Sequence, residues 1–242
     1  MLARGADLRT HRRSILSFLA VNHATRAMFY LMCPPLRQIN VIAWLLVVAG
    51  EWACGERIVD AGFWFERVTV ESSRLGGSLT PEDLHTIKSV ATSEVASAFS
   101  GLRIAFSERR NATYCVRVVQ ELHDFRFPRQ RGGPAGQSHA ISGLGGSGAV
   151  NFELLASNAI GYAPPTASRA EIIAAIGKGV GRAAVHEFAH QLLPTATIDG
   201  STNVRSYEYG FASRREQYYG ELQWDLAWPM LQKRIGKVAR NQ

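Results

Sequence analysis

The sequence predicts an α+β fold over residues 56–242. Three observations carry it: short runs alternate apolar and polar residues, two long amphipathic segments carry explicit helix caps, and Gly- or Pro-rich turns separate them. Phe63 to Glu71 (FWFERVTVE) alternates and reads as a strand, followed by a turn through Gly76-Gly77. Thr80-Pro81-Glu82-Asp83 supplies an N-cap, a proline at the first helical position and acid in the first turn. Leu84, Ile87, Ala91, Val95 and Ala98 then fall on one face, which predicts a helix over 81–99. Gly101 stops it, and Leu102 to Ser107 and Tyr114 to Leu122 read as strands around a polar turn at Arg109 to Asn111.

Residues 129–148 are rich in Gly, Ser and Pro without an apolar period, and read as a long surface loop. Its GLGGSG run at 143–148 lacks the Lys-Ser or Lys-Thr pair and the following helix that a phosphate cradle needs. Ala149 to Ala156 reads as a strand and Gly161 to Thr166 as a turn. Ser168-x-x-Glu171 is a capping box opening a second long helix over 169–193. Gly177, Gly179 and Gly181 cost that helix about 1 kcal/mol each relative to Ala, so either close packing against a sheet compensates or the helix breaks near Gly179. A C-terminal helix is expected to carry Trp224, Trp228, Leu231 and Ile235 as its apolar stripe.

The chain has 242 residues, of which 46% are hydrophobic, enough for one domain with a core of its own. Its net charge of +7 is unevenly spread: residues 1–55 hold six Arg against Asp7 and Glu51, a net +4, which leaves the rest nearly balanced. Short pairs such as Arg109-Arg110 and Lys233-Arg234 lack the interleaved aromatic platform of a nucleic-acid binder, and no nucleic-acid partner is expected. Cys115 is the sole cysteine after Cys54; no disulfide framework is available to the domain, and a buried small hydrophobe is the expected role.

Residues 1–55 read as an N-terminal extension. Val41 to Ala49 is apolar throughout, preceded by Arg37 and followed by Ala53-Cys54-Gly55, a signal-peptide shape that would be cut before Glu56. The run is too short to span a membrane, which takes roughly 18 residues or more. Some forty residues precede it, and starts at Met28 or Met32 would shorten that leader. The expected location is secreted or periplasmic after signal removal, with membrane tethering if the segment is retained.

The chemistry sits at the end of helix 169–193, in Val185-His186-Glu187-Phe188-Ala189-His190. Residues four apart on a helix share a face about 6 Å apart along the axis, so two imidazoles can grip one ion at the roughly 2.0 to 2.1 Å that zinc requires. Glu187 is offset beside the metal, where a carboxylate can take a proton from a water that the ion activates and pass it to a leaving amine. A catalytic zinc needs a third protein ligand and an open position. No histidine follows His190, so the candidates are the carboxylates Asp199, Glu208, Glu221 and Asp225. Asp199 lies just beyond the Pro194 turn, while Glu221 and Asp225 are spaced four apart in the expected C-terminal helix.

With HEFAH on a long helix after a strand, a helix and three strands, residues 63–230 resemble the zincin metallopeptidases, and the metzincin group in particular. The resemblance implies a mixed twisted sheet backed by two long helices, the HEFAH helix being the active-site helix, and Zn2+ as cofactor. Metzincins place a third ligand six residues after the second His, with a Gly between; those positions are Ala196 and Leu193 in this chain. Asp199, three residues later, is the expected third ligand beside His186 and His190, with Glu187 as the catalytic base. The Glu221-x-x-x-Asp225 pair resembles the Glu ligand and supporting Asp of the other large zincin group. No clean methionine turn exists; Ser206 to Gly210 stands about where it would fall, and Met230 is the methionine downstream. Tyr207 or Tyr209 is a candidate oxyanion donor, as a tyrosine is in some metzincins. The expected activity is hydrolysis of a protein or peptide substrate. A non-catalytic secreted or surface binding protein on a zincin scaffold is the competing expectation.

Overall fold

The computed structural model describes residues 58–123, 133–141, 144–193 and 198–238; the N-terminal extension with its apolar run, and the Pro194 turn, lie outside them. Strand β1 (Val59–Phe65) leads through the short hairpin β2 (Glu71–Ser72) and β3 (Gly77–Ser78) to helix α1 (Pro81–Ala98). β4 (Ile104–Ser107), β5 (Tyr114–Val119), β6 (Gly136–Ile141) and β7 (Gly145–Asn151) follow, then α2 (Phe152–Tyr162), α3 (Arg169–Leu192), α4 (Glu216–Tyr219) and α5 (Trp228–Ile235). The five-stranded sheet has the order β4-β1-β5-β7-β6. β1 pairs in parallel with β4 and β5, and β5 with β7, whereas β6 runs antiparallel to β7 at the edge, so the sheet is mixed and the architecture α+β. No described helix is long and apolar enough to cross a membrane.

Both expected helix caps form. Thr80 and Asp83 exchange the two bonds of a capping box at α1, and Ser168 and Glu171 do so at α3. α1 buries Ile87, Ala91, Val95 and Ala98, as its period predicts. α3 is the central element, in contact with α1, α2 and strands β5, β6 and β7. It runs unbroken through Gly177, Gly179 and Gly181, and what compensates the glycines is mainly another helix. A Cβ on Gly177 would stand 2.7 Å from the Val90 side chain and 2.9 Å from the Ile87 carbonyl, and one on Gly181 would stand 2.7 Å from the Ala91 carbonyl. Gly179 faces the Tyr218 ring. The two helices are therefore as close as main chain allows on that face.

Several boundaries differ from expectation for physical reasons. The first strand is Val59–Phe65; the alternation beyond it persists because Val68 is buried although no strand pairs there. Half of the expected loop at 129–148 is the β6–β7 hairpin. Its glycines hide the strand signal because α3 selects them: a Cβ on Gly146 would meet the Gln191 side chain at 2.6 Å. The expected strand at 149–156 ends at Asn151, whose side chain accepts from Leu154 N and opens α2. Phe152, Leu155, Ala156, Ala159 and Ile160 then follow the helical period into the core. α5 begins at Trp228, later than expected, so neither Glu221 nor Asp225 is helical.

Because the Ala91 carbonyl cannot rotate away, Gly181→Ala should lower stability by about 1 to 2 kcal/mol in urea unfolding despite the better helix propensity of alanine. Gly161→Ala in α2, where no atom lies within 4 Å of the new methyl, should raise stability by about 0.5 to 1 kcal/mol. A stabilised Gly181→Ala protein would disprove the close helix contact.

Candidate metal centre

The final turns of α3 carry His186 and His190 on one face, with ring centroids 4.7 Å apart and their Nε2 atoms 3.1 Å apart. The chain returns after the helix to set Asp199 against both. Its Oδ1 is 3.0 Å from His186 Nε2 and its Oδ2 3.4 Å from His190 Nε2. Two donors on a tetrahedral zinc, each about 2.0 to 2.1 Å away, are separated by about 3.3 Å. Each observed separation lies near that edge length, although the two to Asp199 run to different carboxylate oxygens, and one donor atom from each residue lies within 4.8 Å of the others, so this His, His, carboxylate set could hold a divalent ion. Asp199 achieves its position with a left-handed backbone (φ 78°), a conformation that Asp tolerates better than most residues, and its N–H donates to the Glu208 carbonyl at 3.1 Å.

His186 Nδ1 lies 2.7 Å from the Tyr207 carbonyl oxygen. A carbonyl can only accept, so Nδ1 carries a hydrogen, which leaves Nε2 as the ring nitrogen facing Asp199 and His190. Ser206 to Gly210 thus lies beneath the histidines, doing with a main-chain carbonyl what a metal ligand needs from its support. Burial opposes protonation of His186, but the Asp199 carboxylate, the Glu187 charge and the Tyr207 carbonyl override it and raise its pKa. His190 is pushed down by burial and by its neighbour His186, and Asp199 is held below the usual carboxylate range chiefly by its bond to His186.

Glu187 projects from the same turn and is only 5% exposed. Its carboxylate lies against Gly136 of β6, where a Cβ would come within 2.2 Å of Oε1. Glycine is thus required for the approach. Ser138 of the same strand donates from Oγ to the Glu187 carbonyl at 3.0 Å, tying strand to helix. Burial raises the Glu187 pKa, and the His186 charge opposes that rise. His186, Glu187, His190 and Asp199 all open onto one cleft of about 930 Å³, walled by Gly133 to Ser138 on one side and by Tyr209 to Ser213 on the other.

The other expected candidates lie elsewhere. Glu208 is fully buried, and its carboxylate accepts from Ser206 Oγ (2.8 Å), Asp225 N (2.9 Å), Leu226 N and Ala227 N. It is a structural cap at the entry to α5. Asp225 accepts from Ser201 Oγ at 2.7 Å, and Glu221 is exposed; neither joins the histidines. Tyr207 turns its hydroxyl to Glu94 Oε1 at 3.1 Å, away from an oxyanion role, while Tyr209 lines the cleft with its ring 4.5 Å from the Arg214 guanidinium. Met230 sits in α5 and packs against the core. Cys115 is buried, its thiol pushed up by desolvation, in keeping with a packing role. Sequence reasoning missed Gly136 and Ser138, since nothing local ties a Gly-rich strand to a helix some fifty residues later. It also missed Gln191, which accepts from Cys115 N at 3.2 Å and donates to Cys115 O at 3.0 Å.

These placements separate two carboxylates by role. Asp199→Asn, at a side chain 56% exposed, should leave folding stability within about 1 kcal/mol of wild type yet weaken zinc binding by about 100-fold or more. Glu208→Ala should cost more than about 3 kcal/mol in urea unfolding, because it orphans several buried donors. The reverse pattern would overturn the assignment. No family model matches the chain, and no curated protein matches it.

Proposed function

We propose that the protein is an exported zinc-dependent metallopeptidase built on a zincin-like scaffold, with His186, His190 and Asp199 as ligands and Glu187 as the general base. The observation that carries this reading is the convergence of three ligand-bearing side chains, with one donor atom from each within 4.8 Å of the others, and a fourth, acidic side chain in the same cleft. A divalent ion held there supplies Lewis acidity, acidifying water and polarising a carbonyl. The chain's own residues supply the rest. Glu187 accepts a proton at its carboxylate and delivers it to the departing amine nitrogen, while the packing of that carboxylate on Gly136 fixes where the exchange occurs.

The cleft supports a peptide as substrate. β6 is an edge strand, and among the described residues no strand pairs with its outer side. Its main-chain groups therefore suit an extended peptide laid along the cleft. Phe211, 70% exposed, and Tyr209 add apolar surface on the opposite wall. The apolar run Val41 to Ala49 and the small-residue site ahead of Glu56 support export.

Glu187→Gln should lower cleavage of a mixed peptide library by a factor of about 10² to 10⁴ while elemental analysis still finds zinc in the protein. Undiminished turnover would remove Glu187 from the mechanism. A wild-type chain that copurifies with little zinc and cleaves nothing would favour the non-catalytic binding protein on the same scaffold instead.

A further inference from the structure

We propose that the ion pair of buried Arg182 with partly buried Glu94 is a positioning device for the metal ligand His186, acting through Tyr207. This inference rests on the reading of His186, His190 and Asp199 as a metal site. Arg182 lies one helical turn ahead of His186 on α3, and Glu94 faces it from α1. Arg182 is 4% exposed, yet its guanidinium is directed wholly inward: Nε donates to Glu94 Oε1 at 2.8 Å, Nη1 to the Glu216 and Gln217 carbonyls at 2.9 and 3.1 Å, and Nη2 to the Gly220 carbonyl at 3.0 Å. It therefore clamps the irregular C-terminal segment to the metal-bearing helix rather than reaching for a substrate.

The same Glu94 Oε1 accepts the Tyr207 hydroxyl at 3.1 Å, and the carbonyl at the other end of Tyr207 accepts His186 Nδ1–H at 2.7 Å. Tyr207 is thus a strut with both ends anchored. Its ring packs 5.1 Å from that of Trp224, and its N–H donates to the Gln223 carbonyl at 3.1 Å. A buried ion pair is a poor source of stability, since apolar residues of the same volume commonly serve as well or better. What this pair supplies that apolar residues could not is a directional anchor for the Tyr207 hydroxyl, and through it a fixed tautomer and orientation for His186.

The test is Tyr207→Phe, which keeps the main-chain carbonyl and removes only the anchor, in the full chain with zinc alone as probe. The zinc dissociation constant, from competition with a chromophoric chelator, should rise about tenfold. In the zinc-loaded protein the His186 Nδ1 proton, followed by NMR with 15N-labelled histidine, should exchange with water faster than in wild type. Glu94→Gln should weaken zinc in the same direction, and the double variant should bind no worse than the weaker single one, because both act through one link. Zinc affinity within about twofold of wild type in both single variants, with the Nδ1 proton still protected, overturns the proposal. Additive losses that merely track the melting temperature of the metal-free chain overturn it too, by assigning the pair a general folding role. Failure of the wild-type chain to bind zinc is a separate result, which removes the metal site itself.

Discussion

The close approach of α3 to its neighbours is the constraint on which the rest of this structure depends. The helix crosses α1 at Gly177 and Gly181, touches Tyr218 at Gly179, and lies on β6 and β7 where Gly136, Gly146 and Gly148 give it room. Each glycine carries an entropic cost, and dispersion contacts with a densely packed partner offset it. A helix seated this tightly on several sides cannot rotate about its axis without clashes. The two imidazoles therefore project in a fixed direction and Glu187 meets β6 at a fixed distance. Rigidity at the level of packing becomes geometry at the level of chemistry.

The opposite side of the cleft is organised by polar contacts. Residues 198–227 contain little regular structure, so their main-chain groups need partners from side chains. Three buried charged groups meet that need. Glu208 takes the N–H groups leading into α5, Arg182 takes carbonyls around α4, and Arg214 takes the Ser206 carbonyl at 2.8 Å while stacking on Tyr209. Burial holds the Arg214 pKa down to about 10, still far above neutrality, so it remains charged. A segment fixed by such directional bonds can deliver a carbonyl to His186 and a carboxylate to both histidines with the definition of a helix or strand.

How much of this was legible in the sequence depended on the range of the interaction involved. Both long helices were, because Thr80 with Asp83 and Ser168 with Glu171 are local signals, and so was the sharing of one helical face by His186 and His190. The β6–β7 hairpin was not: its glycines answer to α3, and a residue chosen by a distant neighbour loses its own strand signature. Helix α2 was misread although Asn151 and the spacing of Phe152, Leu155 and Ala156 were in plain view, because the preceding strand and the helix form one apolar run. Asp199 stood out as a ligand candidate from the scarcity of donors after His190. Glu208 could not be set aside on the same grounds, since only its tertiary surroundings distinguish a capping carboxylate from a coordinating one.

That distinction between Asp199 and Glu208 shows how one stretch of chain can serve stability and chemistry at once. The two residues are joined by a main-chain bond, Asp199 N–H to Glu208 carbonyl, so they move together. Glu208 points inward, where full burial makes each of its bonds to N–H groups strong and its loss costly. Asp199 points into the cleft, where its side chain is 56% exposed and reaches both imidazoles. Were their orientations exchanged, the core would hold an undercapped α5 and the cleft a longer carboxylate without the left-handed backbone that aims it. The buried acid thus fixes the frame in which the exposed acid can act, and the coordination chemistry proposed for α3 inherits its precision from a residue that never touches the metal.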